Sequence, residues 1–221
     1  MQACTRFGDP ALLAQYLCLD VFFTMDELTR RERSKYERMA AQEGYGNSFE
    51  LQFVNDAIAQ LGIPPGGKLW DFGAGTGKCI LAFRQAGIEA SGFDITKDRV
   101  KPEAEGYILQ TTLWDLPKDV SPHDCGFCSD VMEHIPTEKV DDVLKEIARL
   151  NIRGIYFTIS LVQDNCGKLI GEPLHLTVKP IDWWEARLKL HWTHVLLRAK
   201  NATNVIFVAR DPLITSGSSE L

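Results

Sequence analysis

Apolar positions along the chain change rhythm near residue 68. Before that point the spacing is helical. An apolar stretch at Ala11–Phe23 is followed by MDELTRRERSKYERMAAQ, which lacks Gly and Pro, and the two predict two helices. Gly44-Tyr45-Gly46-Asn47-Ser48 breaks the second, and Asn47 or Ser48 can cap a third helix carrying Phe49, Phe53, Ala57, Ile58 and Leu61 on one face. Gly62 and the Pro64-Pro65-Gly66-Gly67 turn end it. From Lys68 short apolar runs alternate with helical segments, the pattern of a parallel sheet covered on both faces. The expected strands are Lys68–Phe72, Glu89–Asp94, Gly106–Gln110, Cys125–Ser129 and Gly154–Ser160, with helices at Lys78–Ala86, Glu138–Leu150 and Ile181–Leu190. His191–Arg198 and Asn204–Arg210 close the chain as an antiparallel pair. The reading is an α/β, doubly wound, mostly parallel seven-stranded sheet with an antiparallel last strand. It divides into an N-terminal helical lid over residues 1–62, a main domain over 63–214 and a flexible tail over 215–221.

Asp71-Phe72-Gly73-Ala74-Gly75-Thr76-Gly77 runs from a strand through a glycine-rich turn into a helix. Such a turn lets backbone approach a ligand, and a plain strand-to-helix connection does not need three alternating glycines. A phosphate-gripping loop requires Gly-x-x-x-x-Gly-Lys-Ser/Thr, but Phe72 and Cys79 stand at its outer positions. The dinucleotide fingerprint Gly-x-Gly-x-x-Gly is one residue longer than Gly73-x-Gly75-x-Gly77.

This string resembles motif I of the class I S-adenosylmethionine-dependent methyltransferases, and three further segments fall in that family's order between Lys68 and about Arg210. Asp94, 21 residues past Gly73, ends the second strand, where a carboxylate accepts both ribose hydroxyls; a helix N-cap is its ordinary alternative. Trp114-Asp115-Leu116-Pro117 follows the third strand, where the family uses an Asp to receive the adenine amino hydrogen, although Asp115 also suits a turn. Ser129-Asp130-Val131-Met132-Glu133-His134-Ile135-Pro136 follows the fourth and resembles the motif beside the transferring methyl. The resemblance implies S-adenosylmethionine as cofactor, held by Asp71, Gly73, Ala74, Gly75, Gly77, Asp94, Ile95, Asp115, Leu116 and Ser129, and Tyr45 of the lid joins them by its position, where the chain should pass the methionine end of the donor. Trp70 departs from the smaller β-branched residues usual in the first strand.

His134 and His175 are the candidate catalytic bases, both after strands at the sheet's carboxyl edge. Asp130-x-x-Glu133-His134 also resembles the Glu-x-x-Glu-His element that holds a divalent metal in small-RNA 2′-O-methyltransferases and ubiquinone-biosynthesis O-methyltransferases. The expectation is no metal, with Asp130, Glu133, His134 and His175 as the residues that would hold one. Trp183, Trp184 and Trp192 are read as packing residues.

Composition narrows the substrate. With 24 Lys plus Arg against 30 Asp plus Glu in 221 residues, the formal charge is −6. That balance disfavours nucleic acid and favours a small-molecule acceptor such as a sugar, a phenol or a secondary metabolite, methylated at oxygen. Metal-dependent RNA 2′-O-methylation and a catalytically inactive donor-binding interaction module are the alternatives. A nicotinamide oxidoreductase is disfavoured by the short glycine loop. No apolar run reaches membrane-spanning length and the N-terminus lacks a secretory pattern, so a cytoplasmic protein is expected. The six cysteines include one close pair, Cys125 and Cys128, read as buried strand residues rather than metal ligands.

Overall fold

A computed structural model describes residues 26–43, 45 and 49–213. The expected Ala11–Phe23 helix, the Asn47 and Ser48 caps, Gly46 and the tail lie outside the described residues. Helix α1, Glu27–Ala40, starts at Asp26, whose Oδ1 accepts the Thr29 N–H at 2.7 Å. The third expected helix divides into a 3₁₀ segment, Phe49–Phe53, and helix α2, Val54–Leu61, closed by Gly62 at φ +62°.

Seven strands follow: β1 Lys68–Phe72, β2 Glu89–Asp94, β3 Ile108–Gln110, β4 His123–Ser129, β5 Asn151–Ser160, β6 Trp192–Lys200 and β7 Asn204–Pro212. Their order is β3-β2-β1-β4-β5-β7-β6; β1 to β5 pair in parallel, and β7 runs antiparallel to both β5 and β6. The expected closing pair is therefore present. Helices α3, Lys78–Gln85, α4, Val140–Leu150, and α5, Ile181–Leu188, cover the sheet. Strand order reverses between β1 and β4, which opens a crevice beyond their carboxyl ends. Among the described residues no helix is long and apolar enough to cross a membrane.

Local chemistry explains the departures from the expected pattern. Pro102 opens a 3₁₀ turn, Pro102–Tyr107, that absorbs the start of the expected third strand. Trp70 is accommodated because its Nε1 donates to the Ser121 carbonyl at 3.1 Å and its ring stacks on His123 at 3.9 Å. Cys125 and Cys128 are free and buried three residues apart in β4. Strand alternation puts them in the cores on opposite faces of the sheet, so they cannot share a metal or a disulfide. Trp184 and Trp192 are buried in the core, and Trp183 packs beside them under the Arg187 guanidinium.

Candidate active site

The crevice is a cavity of about 490 Å³, within the range of small-molecule sites. Its floor is the glycine loop. Gly73, Gly75 and Gly77 all have positive φ, yet their surroundings differ. A side-chain carbon on Gly73 would sit 2.3 Å from Val131, and one on Gly77 2.3 Å from Ala104, whereas one on Gly75 would meet nothing within 4 Å. Gly73, Ala74 and Gly75 line the cavity; Gly77 does not, and serves the packing of α3 on the 102–107 turn. The loop N–H groups are already used: those of Gly73 and Ala74 donate to the Phe93 carbonyl and that of Gly77 to Ala74. The Gly75 N–H donates to Asp94 Oδ2 at 2.8 Å, and the Thr96 N–H to Asp94 Oδ1 at 3.0 Å. The loop is thus preformed rather than an open anion cradle.

Asp71, Asp94, Ile95 and Ser129 line the same cavity, as does Tyr45. Burial pushes the carboxyls of Asp71 and Asp94 above their ordinary range, for Asp94 against the pull of the backbone N–H groups beside it. Burial also raises the Tyr45 phenol, which stays protonated. Two expected residues are misplaced. Asp115 is exposed and Leu116 is buried in the core, and neither lines the cavity; Thr112, Leu113 and Trp114 do. The chain turns here, with the Asp115 N–H donating to the Thr112 carbonyl at 3.3 Å and the Thr111 hydroxyl donating to the Asp115 carbonyl at 3.1 Å. The buried Thr112 hydroxyl has no partner among the described residues.

The two histidines do come together. Their rings meet edge to face at 4.7 Å, although 40 residues separate them. His134 Nδ1 bonds the Leu174 carbonyl at 3.2 Å and His175 Nδ1 the Val162 carbonyl at 2.6 Å. A carbonyl only accepts, so each Nδ1 carries the proton and each Nε2 keeps its lone pair. Burial first, then His175, pushes the His134 pKa down to about 3, which makes His134 a poor proton acceptor. The histidine loop is shaped by Asp164, whose carboxylate accepts the N–H groups of Gly167, Leu174 and His175 at 2.5, 2.9 and 3.2 Å.

Glu133, His134 and His175 offer ligand atoms within 4.8 Å of one another. Glu133 is fully buried; Oε1 accepts the Ser160 N–H at 2.9 Å and Oε2 has no partner among the described residues. One free carboxylate oxygen and two imidazole lone pairs fit a divalent cation. Asp130 stands apart from that group, with Oδ1 accepting the Thr158 hydroxyl at 3.2 Å.

Sequence reasoning expected the N-terminal segment to lie over the site but named only Tyr45 of it, and it did not name Lys78. Glu32 and Tyr36 of α1 and Glu50 line the cavity, as does Lys78 of α3. Helix α1 is fastened there by Trp114 Nε1 donating to Thr29 Oγ1 at 3.1 Å, by Arg99 donating to the carbonyls of Ala40 and Gln42, and by the Arg38–Glu172 ion pair. Only the polar character of α1 signalled that it was not a core helix.

The family described as Methyltransferase domain matches residues 70–159. No curated protein matches by sequence. Among solved structures, magnesium protoporphyrin IX methyltransferase from Synechocystis PCC 6803, with bound S-adenosylhomocysteine, is 20% identical, with 85% of this chain and 97% of that one covered and a TM-score of 0.54. The Burkholderia thailandensis 1,6-didemethyltoxoflavin-N1-methyltransferase, holding 1,6-didemethyltoxoflavin and S-adenosylhomocysteine, is 14% identical over 96% of this chain and 93% of that one, at a TM-score of 0.61. A Haloferax volcanii complex of a methyltransferase activator with its partner protein gives 15% identity, 81% and 97% coverage and a TM-score of 0.62. Residues 70–159 thus match the methyltransferase-domain family, and the seven-stranded fold is that of the solved S-adenosylhomocysteine-bound methyltransferases.

Proposed function

We infer that the protein transfers the methyl group of S-adenosylmethionine to an oxygen of a small-molecule acceptor. The observation that carries this reading is that one cavity is lined both by the Gly75–Asp94 pair and by the His134–His175 pair. Asp94 has acceptor capacity left for ribose hydroxyls after its two backbone bonds. Thr112, Leu113 and Trp114 take the adenine in place of Asp115 and Leu116. Tyr45 and α1 form a lid over both ligands. The charged residues lining the cavity are Glu32, Glu50, Asp71, Asp94, Asp130 and Asp164 against Lys78 and Arg99. That excess of carboxylates suits a cationic sulfonium donor and a neutral acceptor, and repels a polyanion such as nucleic acid. The Synechocystis and Burkholderia proteins, named for a porphyrin and a toxoflavin precursor, also act on small molecules. The free thiols fit a reducing compartment, in keeping with a cytoplasmic protein.

In the reaction the acceptor oxygen attacks the methyl carbon in line with the breaking carbon–sulfur bond. The bonding pair leaves with sulfur, and the hydroxyl proton passes to a base. His175 Nε2 is that base, since His134 is held neutral by burial and serves as the wall against which the acceptor rests.

The unpartnered Glu133 Oε2 favours a second reading, in which Glu133, His134 and His175 hold a divalent cation. A bound cation would lower the pKa of the acceptor hydroxyl. Methyl transfer to a panel of sugars and phenols, with and without chelator, decides between them. With His175 as base, chelation has no effect and His175→Ala lowers kcat roughly 10²–10⁴-fold. With a cation, the chelator abolishes activity and added metal restores it. Full activity in both the chelated protein and His175→Ala rejects both roles.

A further inference from the structure

Two hydrogen-bonding atoms beside the cavity take no part in the proton transfer to His175. One is the hydroxyl of Tyr36 on α1, a cavity-lining residue; its oxygen is shielded from bulk water and has no partner among the described residues. The Tyr36 ring meets His134 edge-on at 5.9 Å, and His134 meets His175 at 4.7 Å, so His134 is in ring contact with both. The other atom is Nε2 of His134, which keeps its lone pair because Nδ1 donates to the Leu174 carbonyl. Burial first, then Tyr45, Glu32, Asp94 and Glu133 nearby, raise the Tyr36 phenol far above its ordinary range, so it stays protonated and can donate. A buried donor left unpaired costs free energy that a ligand oxygen would return.

One donor and one lone pair define what the two atoms can share. A hydroxyl donates and accepts at a single oxygen. A carbonyl or ether oxygen would leave the His134 lone pair unpaired, and an ammonium would leave the Tyr36 hydroxyl without an acceptor. That group must also lie close to the methylated oxygen, because His134 touches His175. We propose that the acceptor carries hydroxyls on neighbouring carbons, as sugars and catechols do: the methylated one faces His175, and the other donates to His134 Nε2 and accepts from Tyr36. Tyr36 is then a specificity-determining residue. In the transfer the first oxygen bonds the methyl carbon as the carbon–sulfur bond breaks with its pair on sulfur, and its proton passes to His175. The second hydroxyl is unchanged. The assignment rests on the reading with His175 as base and deepens it.

Catechol and phenol, which differ by that second hydroxyl, are the probes. Each is titrated into the chain saturated with S-adenosylhomocysteine, with chelator present so that no cation bridges the catechol, and the dissociation constants are read by nuclear magnetic resonance. The wild type should hold catechol roughly tenfold more tightly than phenol. Tyr36→Phe keeps the ring against His134 and should cut that preference to about threefold or less, leaving phenol within about twofold. Because the hydroxyl has no partner among the described residues, Phe should leave the melting temperature unchanged or raise it. If the wild type does not bind S-adenosylhomocysteine, the donor reading falls and takes this assignment with it. If it binds S-adenosylhomocysteine but neither probe, or both probes equally, the donor stands and the assignment is overturned. A preference seen only without chelator overturns it in favour of a bound cation. An undiminished preference in Tyr36→Phe, or a lowered melting temperature, overturns the role of Tyr36.

Discussion

Replacing Asp94 with Ala tests the nucleoside end of the site. The carboxylate has about four acceptor positions. Two are occupied by the N–H groups of Gly75 and Thr96, at 2.8 and 3.0 Å, which leaves two for the ribose hydroxyls. A hydrogen bond to a charged group contributes about 1.5–3 kcal/mol, and in the variant water recovers part of that for the freed hydroxyls. The loss for two such bonds is therefore about 2–4 kcal/mol, or roughly 30- to 1,000-fold in Kd. The Gly75 N–H faces the open cavity, so water replaces its acceptor and the cost to the ligand-free fold is only about 1 kcal/mol. Asp94→Asn should fall between wild type and Ala: it keeps one acceptor oxygen but turns an amide N–H₂ toward the N–H of Gly75 or Thr96. The assay is calorimetric titration with S-adenosylhomocysteine, alongside thermal melts. A folded Asp94→Ala variant whose Kd lies within about twofold of wild type would refute the ribose assignment.

Gly75→Ala places a methyl in open cavity space and should weaken S-adenosylhomocysteine by about tenfold or more, with only about 1–2 kcal/mol of strain from the positive φ. Gly77→Ala drives its methyl onto Ala104 and should instead lower the melting temperature; equal behaviour of the two variants would contradict the division of labour in the loop. His123, pushed down to about 4 chiefly by burial, is neutral in the fold but protonated in the unfolded chain below about pH 6.5. Stability is therefore lost as pH falls through that window, by about 2 kcal/mol at pH 5 from this group. Denaturant titrations should show His123→Gln losing about that much less stability than wild type between pH 7 and 5, and identical losses would rule the assignment out.

The two ends of the site differ in how far the sequence foretold them. Strands β1 and β2 fall where alternation and flanking Gly and Pro placed them, because both are fixed by local signals. Gly73, Gly75 and Asp94 were legible for the same reason, since strand, turn and strand lie within one short unit. Asp115 and Leu116 lie outside the cavity lining because the chain turns after β3, held by the Asp115 N–H on the Thr112 carbonyl and the Thr111 hydroxyl on the Asp115 carbonyl, a turn that periodicity does not reveal. The meeting of His134 and His175 depends on Asp164 shaping the loop between β5 and α5, a long-range arrangement invisible to pattern. Glu50 and Tyr36 were hidden because charged or aromatic residues on short helices ordinarily mean a solvated face or packing. What brings them inward is the fastening of the N-terminal segment to Arg99, Trp114 and Glu172, all far away in sequence.

A crystal structure of the chain with S-adenosylhomocysteine tests the central claim most directly. The account predicts the ribose hydroxyls on Asp94, the adenine against Thr112–Trp114, and the sulfur turned toward His134 and His175. Density for the ligand outside this cavity, or a sulfur turned away from the histidine pair, would contradict it.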